Sequence, residues 1–271
     1  MPRMEVQLRA LNNFEYETDR VNRTLKGRLG SALRGTEFAE RHDKPITPGY
    51  TFLPPYNGQD VVEQGDEARV TIASHWGKLL AIFRDDLRDD PVLEVGNGMR
   101  YKVIEGHDKT NSSKIEVGDA GVLETQEGAL IEVPTNDSTE AYWKTEHGIN
   151  TLRRRINQNI RHKARAFGIE ADPRTKPIDN IRVTKTYAHP YQVTKKQQIF
   201  GVFTHLRAEV EAPTELHRDY VQLLLDTGLG KKCSYGFGFL YYYEGDVVEA
   251  DKIEPEAYEN EEKAKEAGAY G

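Results

Sequence analysis

Two Gly-X-Gly pairs bracket a short basic loop in Gly228-Leu-Gly-Lys-Lys-Cys-Ser-Tyr-Gly-Phe-Gly238, which follows an apolar helical pattern and precedes an apolar run. Gly228, Gly230, Gly236 and Gly238 supply backbone angles that other residues resist and let a ligand come close to the main chain. Lys231 and Lys232 put positive charge beside that bare backbone. Unpaired amides next to cations make an anion site, and phosphate is the natural occupant. The plain alternative is a tight turn leading into a strand. Two phosphate motifs are excluded. A dinucleotide fingerprint would need glycine where Cys233 stands, and a nucleotide P-loop would need glycine where Leu225 stands.

A second cationic feature lies upstream. From His147 to Phe167, the residues Ile149, Leu152, Ile156, Ile160, Ala164 and Phe167 recur at helical spacing. Against that stripe stand Arg153, Arg154, Arg155, Arg161, Lys163 and Arg165, with no acid between Glu146 and Glu170. A solvated face mixes signs, so an unmixed one points to a polyanion surface, the alternative being an ordinary solvent face.

The elements that must hold these groups follow an order that occurs twice. Met4 to Leu11 alternates as a half-buried strand, and Leu25, Leu29, Ala32 and Leu33 predict a helix over about 19–34. A loop with His42, Lys44, two prolines and a glycine leads to an apolar run at Tyr50 to Pro54. Strand, helix and strand patterns follow over 68–75, 76–87 and 92–105. This is the β-α-β-β-α-β order of a ferredoxin-like domain, a sheet with both helices on one face. Short strands are expected at KIEVG and GALIEVP between Lys114 and Pro134, then the cationic helix, two or three strands over 181–212, a helix over 214–226, the glycine loop and a last strand at 239–243. A second unit of the same order fits, in the α+β class.

Composition sets the outer bounds. A chain of 271 residues with 37% hydrophobic and 30% charged residues builds one large or two ordinary globular domains. The amino terminus lacks a signal-peptide core and no run reaches spanning length, so a cytoplasmic protein with no membrane partner is expected. The single cysteine excludes an internal disulfide and a cysteine-rich zinc site. The net charge of −7 resides in the segment from Glu244 onward, and the preceding 243 residues hold 34 charges of each sign. Global acidity therefore does not argue against a polyanionic partner.

Taken together, GLGKKCSYGFGFL, the segment YWKTEHGINTLRRRINQNIRHKARAF and the Glu40-Arg-His42-Asp loop resemble one family. They are similar to the repeat-associated mysterious protein (RAMP) superfamily and, more narrowly, to the CRISPR-associated endoribonuclease that processes precursor CRISPR RNA, particularly its haloarchaeal members. The resemblance implies tandem ferredoxin-like (RRM-like) domains over 1–112 and 113–243, with an acidic tail over 244–271. It implies cleavage within each repeat by 2′-hydroxyl attack, giving 2′,3′-cyclic phosphate and 5′-hydroxyl ends, with no metal and no cofactor. The partners implied are CRISPR repeat RNA and, as for relatives, subunits of the CRISPR interference complex.

His42 matches the family's catalytic histidine by position, after the first helix and before the second strand; the alternative is an exposed loop histidine. Some members add a tyrosine on the first helix and a lysine shortly after the histidine. Here Gly30 and Ser31, and Pro48 and Gly49, stand at or near those positions. Lys44, Lys26, Arg28 and Arg34 are the candidate substitutes for charge, with Ser31 and Ser113 weaker. Arg154, Arg161, Arg165, Lys231 and Lys232 are expected to contact phosphates. A non-catalytic RNA-binding subunit of the same fold is the alternative, and a scaffold protein with a structural glycine turn is a third reading.

Overall fold

The computed structural model describes residues 3–39, 49–56, 59–95, 98–109, 114–134, 141–194 and 197–244. The chain divides into two units, Met1–Ser112 with Ser234–Gly236, and Ser113–Cys233 with Phe237–Gly271.

In the first unit, β1 (Arg3–Ala10), α1 (Thr18–Ala32), β2 (Tyr50–Leu53), β3 (Glu67–Ser74), α2 (Gly77–Asp89), β4 (Val92–Val95) and β5 (Met99–Lys109) follow in chain order. They form a five-stranded sheet in the order β2-β3-β1-β5-β4, every pair antiparallel. Alternation drives this. Met4, Val6, Leu8 and Ala10 of β1 share one face of the pleat. They cluster with Val21, Leu25 and Leu29 of α1 and Leu79, Leu80, Phe83 and Leu87 of α2. The pattern expected as one strand over 92–105 is instead the hairpin β4-β5, because the chain turns at Gly98 with φ 80.

The second unit repeats the order with β6 (Ala120–Thr125), α3 (Ile149–Ala166), β7 (Ile178–Thr194), β8 (Gln197–Glu211), α4 (Glu215–Thr227) and β9 (Leu240–Glu244). Its sheet runs β7-β8-β6-β9, again antiparallel. Leu152, Ile156, Ile160 and Ala164 of α3 and Leu223 and Leu224 of α4 are sealed against Leu206, Ala208 and Val210 of β8. The strand expected at Lys114–Gly118 is a turn. There the Asp119 carboxylate accepts from the Glu116 amide at 2.8 Å, and pairing starts only at Ala120. The two units are thus tandem ferredoxin-like domains. Among the described residues no helix is long and apolar enough to cross a membrane.

One half-buried acid in the second unit links its stability to pH. Glu127 lies in the turn after β6 with no hydrogen bond among the described residues, and burial pushes its carboxyl up to about 7. A carboxyl whose folded value exceeds its unfolded one stabilises fully below the unfolded value, and that contribution is lost as pH rises through the folded value. Glu127→Gln is therefore expected to match the wild type near pH 4.5. At pH 8 it should be more stable by on the order of 3 kcal/mol, at about 1.4 kcal/mol per shifted unit. Urea melts at the two pH values measure this, and equal midpoints at pH 8 would contradict it.

Candidate nucleic-acid interface

The cationic helix α3 presents two chemistries from opposite faces. Its apolar stripe turns into the core, and so does one of its cations. Lys163 is only 3% exposed, and its Nζ donates to the carbonyls of Thr227, at 3.1 Å, and of Gly228, while standing 3.5 Å from Cys233 Sγ. The last carbonyls of a helix have no partner within the helix and carry its negative pole, so a buried ammonium satisfies both needs at the end of α4. This corrects the expectation that Lys163 belongs to the polyanion face. Its partners are backbone oxygens.

The opposite face borders an open cleft of about 670 Å³ in the second unit. Arg155, Arg161 and Arg165 line one side and Gly230 and Lys231 the other. The loop is fastened to the helix at this level, because the Asn159 carboxamide oxygen accepts from the Gly230 amide at 3.2 Å. The Lys231 amide donates to the Leu130 carbonyl at 2.9 Å, and its ammonium meets the Glu132 carboxylate at 2.7 Å. Arg155 donates through Nε to the Glu132 carbonyl and through Nη1 to the Gln158 carboxamide oxygen, each at 2.8 Å. Arg165 has no partner among the described residues. Four cations against one lining carboxylate leave the cleft positive, which attracts a polyanion.

The glycines are less exposed than their composition suggests. Gly230 borders the cleft with φ 83, and a Cβ there would lie 2.5 Å from the Leu130 carbonyl oxygen. Gly238, with φ 64, would drive a Cβ into the Leu229 carbonyl, whose own amide donates to the Gly238 oxygen at 2.8 Å. Gly228 is packed against Cys233 and Gly238. Gly236, within the first unit, packs against Phe52 and Asn22. Lys232 holds a left-handed φ of 58, rare for a residue with a side chain. Most of the loop therefore keeps its shape by contacts with its own chain, and Gly230 with Lys231 forms the part that reaches the cleft.

The remaining predicted residues separate. Arg154 is exposed on α3 outside the cleft lining. Ser31 is exposed on α1, at a smaller cleft of the first unit that Arg28 also lines. Arg28 is held there by Asp86 at 2.6 Å and Asp90 at 2.5 Å, so its charge is already matched. Lys26 Nζ donates to the Tyr235 hydroxyl at 2.6 Å, 3.8 Å from the ring centre. His42, Lys44 and Ser113 lie outside the described residues. Gln158, Asn159 and His162 line the cleft and were missed by counting charge alone. A helical projection finds them, because positions 158 and 162 lie opposite the apolar stripe.

Comparison with known proteins agrees with this architecture. Residues 130–242, which hold α3, the glycine loop and the cleft, match the family described as CRISPR associated protein Cas6, C-terminal. The chain is 27% identical over 257 residues to the CRISPR-associated endoribonuclease Cas6 of Haloferax mediterranei, covering 88% of this chain and 92% of that one. It is 24% identical to CRISPR-associated endoribonuclease Cas6 2 of Methanocaldococcus jannaschii, over 88% of this chain and 98% of the other. A solved RAMP protein described as binding different RNA substrates shares the fold with a TM-score of 0.68 at 15% identity, over 90% of this chain and all of that one. By these likenesses the chain resembles CRISPR-associated proteins of the Cas6 type over most of its length, and its residues 130–242 match that family's C-terminal region.

Proposed function

We propose that the protein is an endoribonuclease that cuts precursor CRISPR RNA within its repeats. The observation that carries the reading is the cationic cleft between α3 and the Gly230–Lys231 edge of the glycine loop, set in the segment that matches the Cas6 family. In the reaction the ribose 2′-hydroxyl gives up its proton as its oxygen bonds to the adjacent phosphorus. The bond from phosphorus to the 5′ oxygen breaks, and that oxygen takes a proton. The products are a 2′,3′-cyclic phosphate and a 5′-hydroxyl. His42 serves as proton carrier, since an imidazole changes charge near neutrality, with Lys44 and Ser31 as its candidate assistants. The step requires no metal. Subunits of the interference complex are the partners to which the trimmed RNA passes.

Arg161, Arg165 and Lys231 grip phosphates, with Arg154 and Lys232 extending the charged track. Incubating the protein with repeat RNA in EDTA tests the chemistry: one cut per repeat with a cyclic phosphate end is expected, and loss of cutting in EDTA would overturn the metal-free step. Replacing Arg161, Arg165 and Lys231 together by alanine is expected to weaken RNA binding by 10- to 100-fold. The slope of log K against log salt should become shallower by about 2, at roughly 0.7 per lost phosphate contact on single strands. Unchanged affinity and slope would remove the cleft from RNA binding.

A further inference from the structure

The cleft holds more than cations. Gln158 and His162 are one helical turn apart on the exposed face of α3, and both line the cleft among the arginines. Neither is committed elsewhere in a way that silences it. The Gln158 oxygen accepts from Arg155, which orients the carboxamide and leaves its NH2 group to donate outward. The His162 imidazole has no partner among the described residues. One apolar surface stands beside these polar groups, that of Pro173, which is exposed at the cleft, whereas Leu130 and Ile131 behind it are buried.

Convergent polar groups beside an exposed proline and about 670 Å³ of space suit a small planar ligand, within the roughly 300–1,000 Å³ usual for such pockets. A surface that served phosphates alone would not need the Gln158 carboxamide and the His162 imidazole among its arginines. Cations fix where a nucleic acid lies, and hydrogen bonds to base edges decide which one is held. A base inside an A-form duplex does not meet these groups, since the RNA major groove is too deep and narrow for side chains to read. A base splayed out of a single strand does.

We propose that the cleft is a base-reading pocket for one unstacked nucleotide of the RNA, whose base edge is bound by Gln158 and His162 while Arg161, Arg165 and Lys231 hold the flanking phosphates. The inference rests on the RNA-binding reading above and goes beyond it by assigning sequence discrimination to a carboxamide and an imidazole. Both side chains border solvent on a helix whose packing face they do not touch, so alanine at either position leaves the fold intact.

An abasic scan of the repeat RNA tests it. The probe is a 2′-O-methylated repeat oligoribonucleotide, which 2′-hydroxyl attack cannot cut, with single bases removed in turn. Wild-type protein is expected to lose about tenfold in affinity at one unpaired position, the scale of a base contact. In Gln158→Ala/His162→Ala, removal of that base is expected to change affinity less than twofold. The intact probe should bind about tenfold more weakly with the salt slope unchanged. A double variant that keeps the wild-type abasic profile overturns the proposal, as does one that loses salt slope as the cation-to-alanine variant does. Wild-type protein that binds the probe with a flat abasic profile overturns the pocket and leaves RNA binding standing. Wild-type protein that binds no RNA overturns the functional reading itself.

Discussion

His42→Ala is expected to lower the rate of repeat cleavage by on the order of 10²- to 10⁴-fold, the usual contribution of a positioned proton carrier. Repeat RNA should still bind within about twofold of the wild-type affinity. The separation follows from where the charges lie. The cations assigned to the phosphates are on α3 and the glycine loop, more than a hundred residues from His42 in the chain, and a neutral imidazole contributes little to a salt-dependent grip. Single-turnover cleavage and filter binding on the same preparation read both quantities. Cleavage that survives the substitution would take His42 out of the mechanism. Loss of binding in parallel would make it an RNA contact.

Lys163→Met is expected to destabilise the second unit by about 3 kcal/mol and to loosen the RNA grip with it. Methionine matches the length of the side chain but donates nothing, so the Thr227 and Gly228 carbonyls at the end of α4 lose their buried partner. Each buried acceptor left alone costs about 1–3 kcal/mol. Removing one side of a buried polar arrangement is the expensive case, whereas replacing both sides by apolar groups is not. The comparison is Lys231→Met, whose side chain is 38% exposed and whose ion pair with Glu132 is a surface one worth at most about 1 kcal/mol. Urea unfolding should show the midpoint falling for Lys163→Met and scarcely moving for Lys231→Met. Equal midpoints in the two variants would show that the buried ammonium does not hold the loop.

The fold was legible where periodicity is strong. Ile149, Leu152, Ile156, Ile160 and Ala164 mark α3 because a buried helix face must repeat every three or four residues, and the structure seals Leu152, Ile156, Ile160 and Ala164 completely. Alternation in β1 was equally plain. Lys163 was misread because charge was counted without angle: it lies seven residues after Ile156, on the edge of the apolar stripe, where a long side chain can reach either way. Its acceptors, 64 and 65 residues further on, settle which way it points. The glycine loop was recognised by its residue types. Types do not say which amides face outward, because that depends on close contacts such as Gly238 against Leu229. Gln158 and His162 carry no charge signal, so only the helical projection would have shown them beside the arginines. The segment around His42 has no sequence periodicity to read, and the role assigned to His42 rests on resemblance.

The two units follow the same order of elements, so each has one join between its second helix and the strands that complete its sheet. In the second unit that join is the basic glycine loop. In the first it is the short link from α2 into β4, and the segment Arg84-Asp-Asp-Leu-Arg-Asp-Asp90 leading into it carries four carboxylates, with Asp86 and Asp90 clamping Arg28. One topological position thus occurs twice with opposite electrical character. On the RNA-binding reading proposed above, phosphates are expected to be favoured at the second position and disfavoured at the first.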